Sequence, residues 1–181
     1  MVDGPMTKTL LRLGSLMLAA CLGGPAGAQE TTRNRVDANT DWSVFQETNP
    51  AECFAVSAPK SQENTRDGRR VEVSRGEALL FVFFRPSERA NGQVVFTGGY
   101  SFASDSVVTL NVGGTQFMLF TEGEWAWPAT PEEDARIVAA LRGGSEAVLV
   151  GQSGRGTVTR DTFSLLGFTA SVGQAQTRCA N

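Results

Sequence analysis

The stretch 151–157, Gly-Gln-Ser-Gly-Arg-Gly-Thr, is the richest in glycine and places Ser153 and Arg155 where a loop could present them to a ligand. A phosphate cradle of the P-loop type needs Gly-Lys-Ser/Thr and an opening helix, and neither follows here. A nucleophile elbow needs glycine where Arg155 stands and a histidine to take the serine proton. The 181 residues contain no histidine. That absence excludes Ser-His-Asp and Cys-His catalysis, H-E-x-x-H zinc sites and histidine pH switches. Lys60, in the polar loop 59–62, is a solvent-facing amine rather than half of a Ser-Lys dyad. The acid–base groups that remain are carboxylates: Asp41, Glu72, Glu77, Glu122, Glu124 and Asp161 among them. A glycosidase needs two of these facing each other across about 5–9 Å. Asp161, beside Thr162, serves equally as a local hydrogen-bond acceptor or as the ion-pair partner of Arg155 or Arg160. No catalytic residue, metal ligand or cofactor site is assigned. The stretch 151–157 reads first as a turn between strands, with Arg155 a weak candidate for binding.

Trp125 and Trp127 are the other candidates. Two residues apart, they share a face if 124–128 is extended, and could form a platform for a sugar or a partner protein. Packing beneath the following helix is the preferred reading of the pair.

The elements that must position these residues are mostly short strands. Apolar runs alternate with Gly, Pro, Asn and Ser clusters, giving strands near 42–46, 54–57, 71–75, 79–85, 94–97, 107–112, 116–121, 147–151 and 157–165. The run 79–84, Leu-Leu-Phe-Val-Phe-Phe, is apolar on both faces and predicts a central strand. Gly113-Gly114 predicts a tight hairpin between 107–112 and 116–121. Thr130-Pro131-Glu132-Glu133 combines a capping hydroxyl, a first-turn proline and a carboxylate, predicting a helix over about 131–142 that ends in a left-handed cap at Gly143-Gly144. A second short helical turn covers 168–175. So few helices beside nine strands make the chain mainly β, most simply as two packed layers.

The first 28 residues read as an export signal. Lys8 and Arg12 give a positive start and 13–22 a short apolar run; even counted from Leu10 to Leu22 it is 13 residues, too short to span a bilayer at about 20 residues per crossing, and Ala26-Gly27-Ala28 offers a cleavage site. Leu18-Ala19-Ala20-Cys21 also matches a lipobox, so a lipid anchor at Cys21 is the competing outcome. Residues 29–40 read as a flexible leader, and 41–181 as one domain. Beyond residue 28 the chain keeps 14 basic and 18 acidic residues, a net of −4. That acidity argues against nucleic acid, and no polybasic membrane patch is present. Cys53 and Cys179 remain in either case. A bridge between them would close a loop of about 127 residues, which chain entropy values at roughly 5 kcal/mol; two separate buried thiols are the alternative.

Several motifs occur in order: Asp41-Trp42-x-Val44-Phe45, Pro50-x-x-Cys53-Phe54, Val71-x-Val73-x-Arg75-Gly76, Arg85-Pro86, Gly98-Gly99-Tyr100-x-Phe102, Val112-Gly113-Gly114, Phe120-Thr121 and Ala126-Trp127-Pro128. They close with Ser153-x-Arg155-Gly156-Thr157-x-Thr159-x-Asp161-Thr162-Phe163-Ser164-Leu165-x-Gly167-Phe168-Thr169-Ala170. Over residues 41–179 the chain resembles the invasion-associated locus B family of alphaproteobacteria. The resemblance implies an immunoglobulin-like β-sandwich, exported to the periplasm or cell envelope and without catalytic residues, with Cys53 and Cys179 bridged. It implies action by binding an envelope or host-surface partner, linked in pathogenic relatives to host-cell entry. A carboxylate-dependent hydrolase of envelope polysaccharide is the alternative.

Overall fold

A computed structural model describes residues 34–180; the stretch read as an export signal, Cys21 and the expected leader through residue 33 lie outside the described residues. Twelve strands follow in order: β1 (Arg35–Asn39), β2 (Trp42–Thr48), β3 (Ala51–Ser57), β4 (Ser61–Arg66), β5 (Arg69–Arg70) and β6 (Leu79–Arg85) precede a 3-10 turn at Pro86–Glu88. Then come β7 (Ala90–Thr97), β8 (Val107–Val112), β9 (Thr115–Glu122), β10 (Trp125–Trp127), helix α1 (Pro131–Gly143), β11 (Glu146–Gln152), β12 (Val158–Ser164) and helix α2 (Phe168–Cys179). The chain is mainly β, as the alternation of its sequence requires.

All strands join one antiparallel sheet in the order β1-β2-β3-β6-β7-β10-β9-β8-β11-β12-β4-β5. The sheet folds over so that its two halves face each other, sandwich-like. Phe96 of β7 meets Phe163 of β12 edge-on at 6.2 Å, and the Trp42 indole on β2 donates to the Ser164 carbonyl at the end of β12 at 2.9 Å. Trp42, Leu80, Val82, Phe96, Leu110, Leu149 and Phe163 fill the interior between the halves. The apolar run at β6 lies inside the sheet between β3 and β7, and Gly113 and Gly114 both take positive φ at the β8–β9 turn (56° and 87°).

Helix α1 begins as its capping residues predict: Thr130 Oγ1 accepts from Glu133 N, and Glu133 Oε2 accepts from Ala129 N at 3.1 Å. Ile137 and Leu141 are fully buried, and Asp134 Oδ1 accepts from Val94 N at 2.7 Å, fastening the helix to β7. The predicted left-handed cap is not formed, because Gly144 leaves the helix extended (φ −90°, ψ 167°). Helix α2 runs four residues beyond the predicted 175 and packs on β2 and β3, where Cys179 is bridged to Cys53 (Cα–Cα 5.8 Å).

Three other readings change. Arg35–Asn39, assigned to a flexible leader, is a strand paired with β2, and Asn39 Nδ2 donates to Ser171 Oγ on α2 at 3.0 Å. Ser61–Arg66 pairs with β12 although no residue in it is apolar. The predicted strand at 71–75 is not formed, for it joins no ladder; its backbone is held by single bonds on either side, Val71 N to Asn64 O and Gly76 N to Gly99 O, both 2.9 Å. Among the described residues no helix is long and apolar enough to cross a membrane.

Candidate functional site

Beside the segment 71–75 opens a cleft of about 650 Å³. Its walls come from stretches far apart in sequence: Arg66 at the end of β4, Glu72 to Arg75, Tyr100 and Ser101, Glu124 at the β9–β10 turn, and Ser153 to Thr159.

The floor is a buried ion pair. The Asp161 side chain is fully buried and that of Arg75 is 7% exposed. Arg75 Nη1 donates to Asp161 Oδ2 at 2.9 Å and to the Gly98 carbonyl at 2.9 Å, while Nη2 donates to Asp161 Oδ1. A buried carboxylate is tolerated only with such compensation, and the planar guanidinium supplies it in two parallel bonds. Backbone packing fixes Arg75 there. Gly99 (φ 72°) lies so close to Gly76 that a Cβ at position 99 would stand 2.2 Å from the Gly76 carbonyl oxygen. Tyr100 lies under the guanidinium, 5.8 Å from ring centroid to Cζ, with its hydroxyl 2.6 Å from Thr159 Oγ1. Burial raises the Tyr100 pKa and nearby Asp161 adds to it, against the Thr159 hydrogen bond and Arg75, which lower it.

One wall is the glycine-rich loop, which is indeed a turn between β11 and β12. Ser153 N donates to Thr157 O at 2.8 Å, Gly156 N to Ser153 O at 2.8 Å, and Gly154 N reaches across to Ser101 O at 3.1 Å. The Ser153 hydroxyl accepts from Thr157 N at 3.1 Å, and Arg66 Nη2 donates to Thr157 Oγ1 at 2.7 Å. No lysine lines the cleft. Lys60 pairs with Asp41, and hydrogen bonds from Lys60 and Ser164 hold the Asp41 carboxyl below its ordinary range. A Ser153–Lys60 dyad is therefore not assembled.

The carboxylates separate accordingly. Asp161 is paired, but with Arg75 rather than Arg155 or Arg160, a partner 86 residues away that local spacing could not suggest. Glu72 and Glu124 both line the cleft. Arg155 reaches its rim, exposed. The arginine carrying the floor, Arg75, was visible beforehand only as a member of the Val-x-Val-x-Arg-Gly run.

Trp125 and Trp127 are not part of this cleft. Between them Ala126 is fully buried, so both indoles point to the outer face of the sheet. Trp125 is 46% exposed and its ring meets Phe81 at 6.2 Å, so it is not packed away beneath α1. It ends a row of aromatic rings: Phe81–Phe83 at 5.1 Å, Phe83–Phe54 at 5.2 Å and Phe54–Phe45 at 5.0 Å. Trp127 stands opposite Phe120, itself half exposed. Arg85 caps the row, 4.0 Å above the Phe83 ring. The two tryptophans and Arg155 thus belong to separate surfaces.

No known family profile matches the sequence, and no curated protein matches it. In three dimensions the chain is similar to the crystal structure of invasion associated protein B from Bartonella henselae, with a TM-score of 0.54 over 80% of this chain and 98% of that one. At 17% identity, that likeness establishes a distant relationship of fold with invasion associated protein B.

Proposed function

We propose that this chain is an exported, non-catalytic cell-envelope protein of the invasion-associated locus B kind, and that it acts by binding a protein or another envelope or host-surface partner through the cleft beside Arg75. The observation that carries this reading is the contrast between the cleft's floor and its rim. On the floor, Arg75, Asp161, Tyr100 and Thr159 satisfy one another and hold the shape. On the rim, Glu72, Glu124 and Arg155 have neither a hydrogen bond nor an ion pair among the described residues. A preformed hollow with uncommitted polar groups at its mouth is the usual form of a recognition site. The Ser153 hydroxyl accepts from Thr157 N within its own turn, which supports a structural role for it.

Export is supported by the Cys53–Cys179 bridge, which persists in oxidising compartments, and by the signal pattern of residues 1–28. The fold likeness supports the family reading. Mass spectrometry of the chain recovered from its native host tests the export half. Gln29 as the first residue in a periplasmic fraction supports it; an intact N-terminus in the cytoplasm overturns it, and an acylated Cys21 replaces the soluble form with an anchored one. For the binding half, the chain is cross-linked in envelope extract. A partner captured by the natural chain and lost on Arg155→Ala supports the cleft. Glycan cleavage that requires Glu72 or Glu124 would instead establish a hydrolase.

A further inference from the structure

The cleft is balanced in charge. Arg66, Arg75 and Arg155 stand against Glu72, Glu124 and Asp161. Arg75 and Asp161 cancel on the floor, which leaves two guanidiniums and two carboxylates around one mouth. Among the described residues none of those four lies within 4.0 Å of an opposite charge in the set; Arg66 spends one N–H on a neutral hydroxyl, Thr157, and the other three are without partners. A simple anion entering such a site gains from the arginines and loses to the glutamates, and a simple cation does the reverse. A ligand carrying both signs gains from each. Among these charges the walls also carry hydroxyls, those of Ser74, Ser101 and Thr157, suited to amide groups, beside the apolar surface of Val73 and Tyr100. The volume, about 650 Å³, is that of a small-molecule site.

We infer that the cleft takes a short zwitterionic peptide: its terminal carboxylate on Arg155 and Arg66, its terminal ammonium on Glu72 and Glu124, its amides on the hydroxyls between. This rests on the binding reading above and names the chemistry of the ligand. A bidentate guanidinium–carboxylate contact supplies the stronger of the two end interactions.

The test is titration calorimetry of the purified chain with trialanine, N-acetyl-trialanine and trialanine amide at low salt. The free peptide is expected to bind at least tenfold more tightly than either blocked form. Arg155→Ala is expected to weaken trialanine by about tenfold while leaving trialanine amide, which has no carboxylate to lose, unchanged. The pair Glu72→Gln and Glu124→Gln is expected to do the same for the ammonium end, weakening trialanine and sparing the N-acetyl form. All three side chains are exposed, so the thermal midpoints of the variants should match the natural chain and exclude misfolding. Equal affinity for the three peptides, or no heat with trialanine at millimolar concentration, overturns the inference. If an Arg155-dependent partner is still captured from envelope extract, the binding reading stands without it; if that capture also fails, both fall.

Discussion

Replacing Arg75 by methionine should be among the most destabilising single changes in the domain. Methionine approximates the length of the side chain but leaves the Asp161 carboxylate, fully buried, without its two charge-assisted bonds, and leaves the Gly98 carbonyl without its donor. Breaking one partner of a buried pair costs about 3–5 kcal/mol, because the surviving charge cannot be rehydrated in place. With a urea slope of about 2 kcal/mol per molar for a domain of this size, the unfolding midpoint should fall by roughly 1.5–2.5 M. Adding Asp161→Asn removes the stranded charge, so Arg75→Met with Asp161→Asn should be more stable than Arg75→Met alone by at least about 1 kcal/mol. Urea unfolding followed by tryptophan fluorescence reads both values. A loss below about 1 kcal/mol for Arg75→Met, or a double variant weaker than the single, would show that the pair does not hold the cleft floor and would refute the reasoning.

Replacing Cys53 and Cys179 by alanine frees α2 from β3; a bridge spanning 126 positions should be worth up to roughly 5 kcal/mol, and hydrogen exchange of the α2 amides should accelerate before the rest of the domain loosens. Asp134 should make stability depend on pH. Burial raises its pKa to about 6 against the Val94 hydrogen bond, with Glu133 adding to the rise. Because the folded value lies above the ordinary 3.8, this contribution is complete below pH 3.8 and is lost as pH climbs through 6. With the carboxyl only partly buried, the loss is on the order of 1 kcal/mol, and Asp134→Asn, which keeps an acceptor for Val94 N, should flatten the urea midpoint between pH 4 and 6. Gly99→Ala should cost about 3 kcal/mol by driving a Cβ into the Gly76 carbonyl at positive φ; an unchanged midpoint would mean that the two backbones separate freely.

What could be read in the sequence was whatever its local pattern encodes. The strand at β6 announces itself because both faces are apolar, and α1 does so because Thr130, Pro131 and Glu133 cap it. Strands β1 and β4 were missed for the converse reason. They lie at or near the open edges of the sheet and bury little: β4 has no apolar residue, and in β1 the two that alternate, Val36 and Ala38, are exposed. The segment 71–75 misled in the opposite sense: Val71, Val73 and Arg75 alternate inward as a strand would, yet what the third of them reaches for is a carboxylate. The same limit applies to the cleft. Arg155, Glu72, Glu124 and Asp161 were all candidates by residue type, but that three of them share one hollow while Asp161 lies beneath it depends on how the sheet folds over. Trp125 was expected to be covered and is not, because α1 docks on β7 instead.

Among the described residues the twelve-stranded sheet ends at β1 on one border and β5 on the other. Each is short, and arginine marks both: Arg35 on one, Arg69 and Arg70 on the other. A second copy that tried to extend the sheet at β5 would bring guanidinium against guanidinium and find only two residues to grip. Short, charged borders of this kind are how an open sheet discourages edge-to-edge growth.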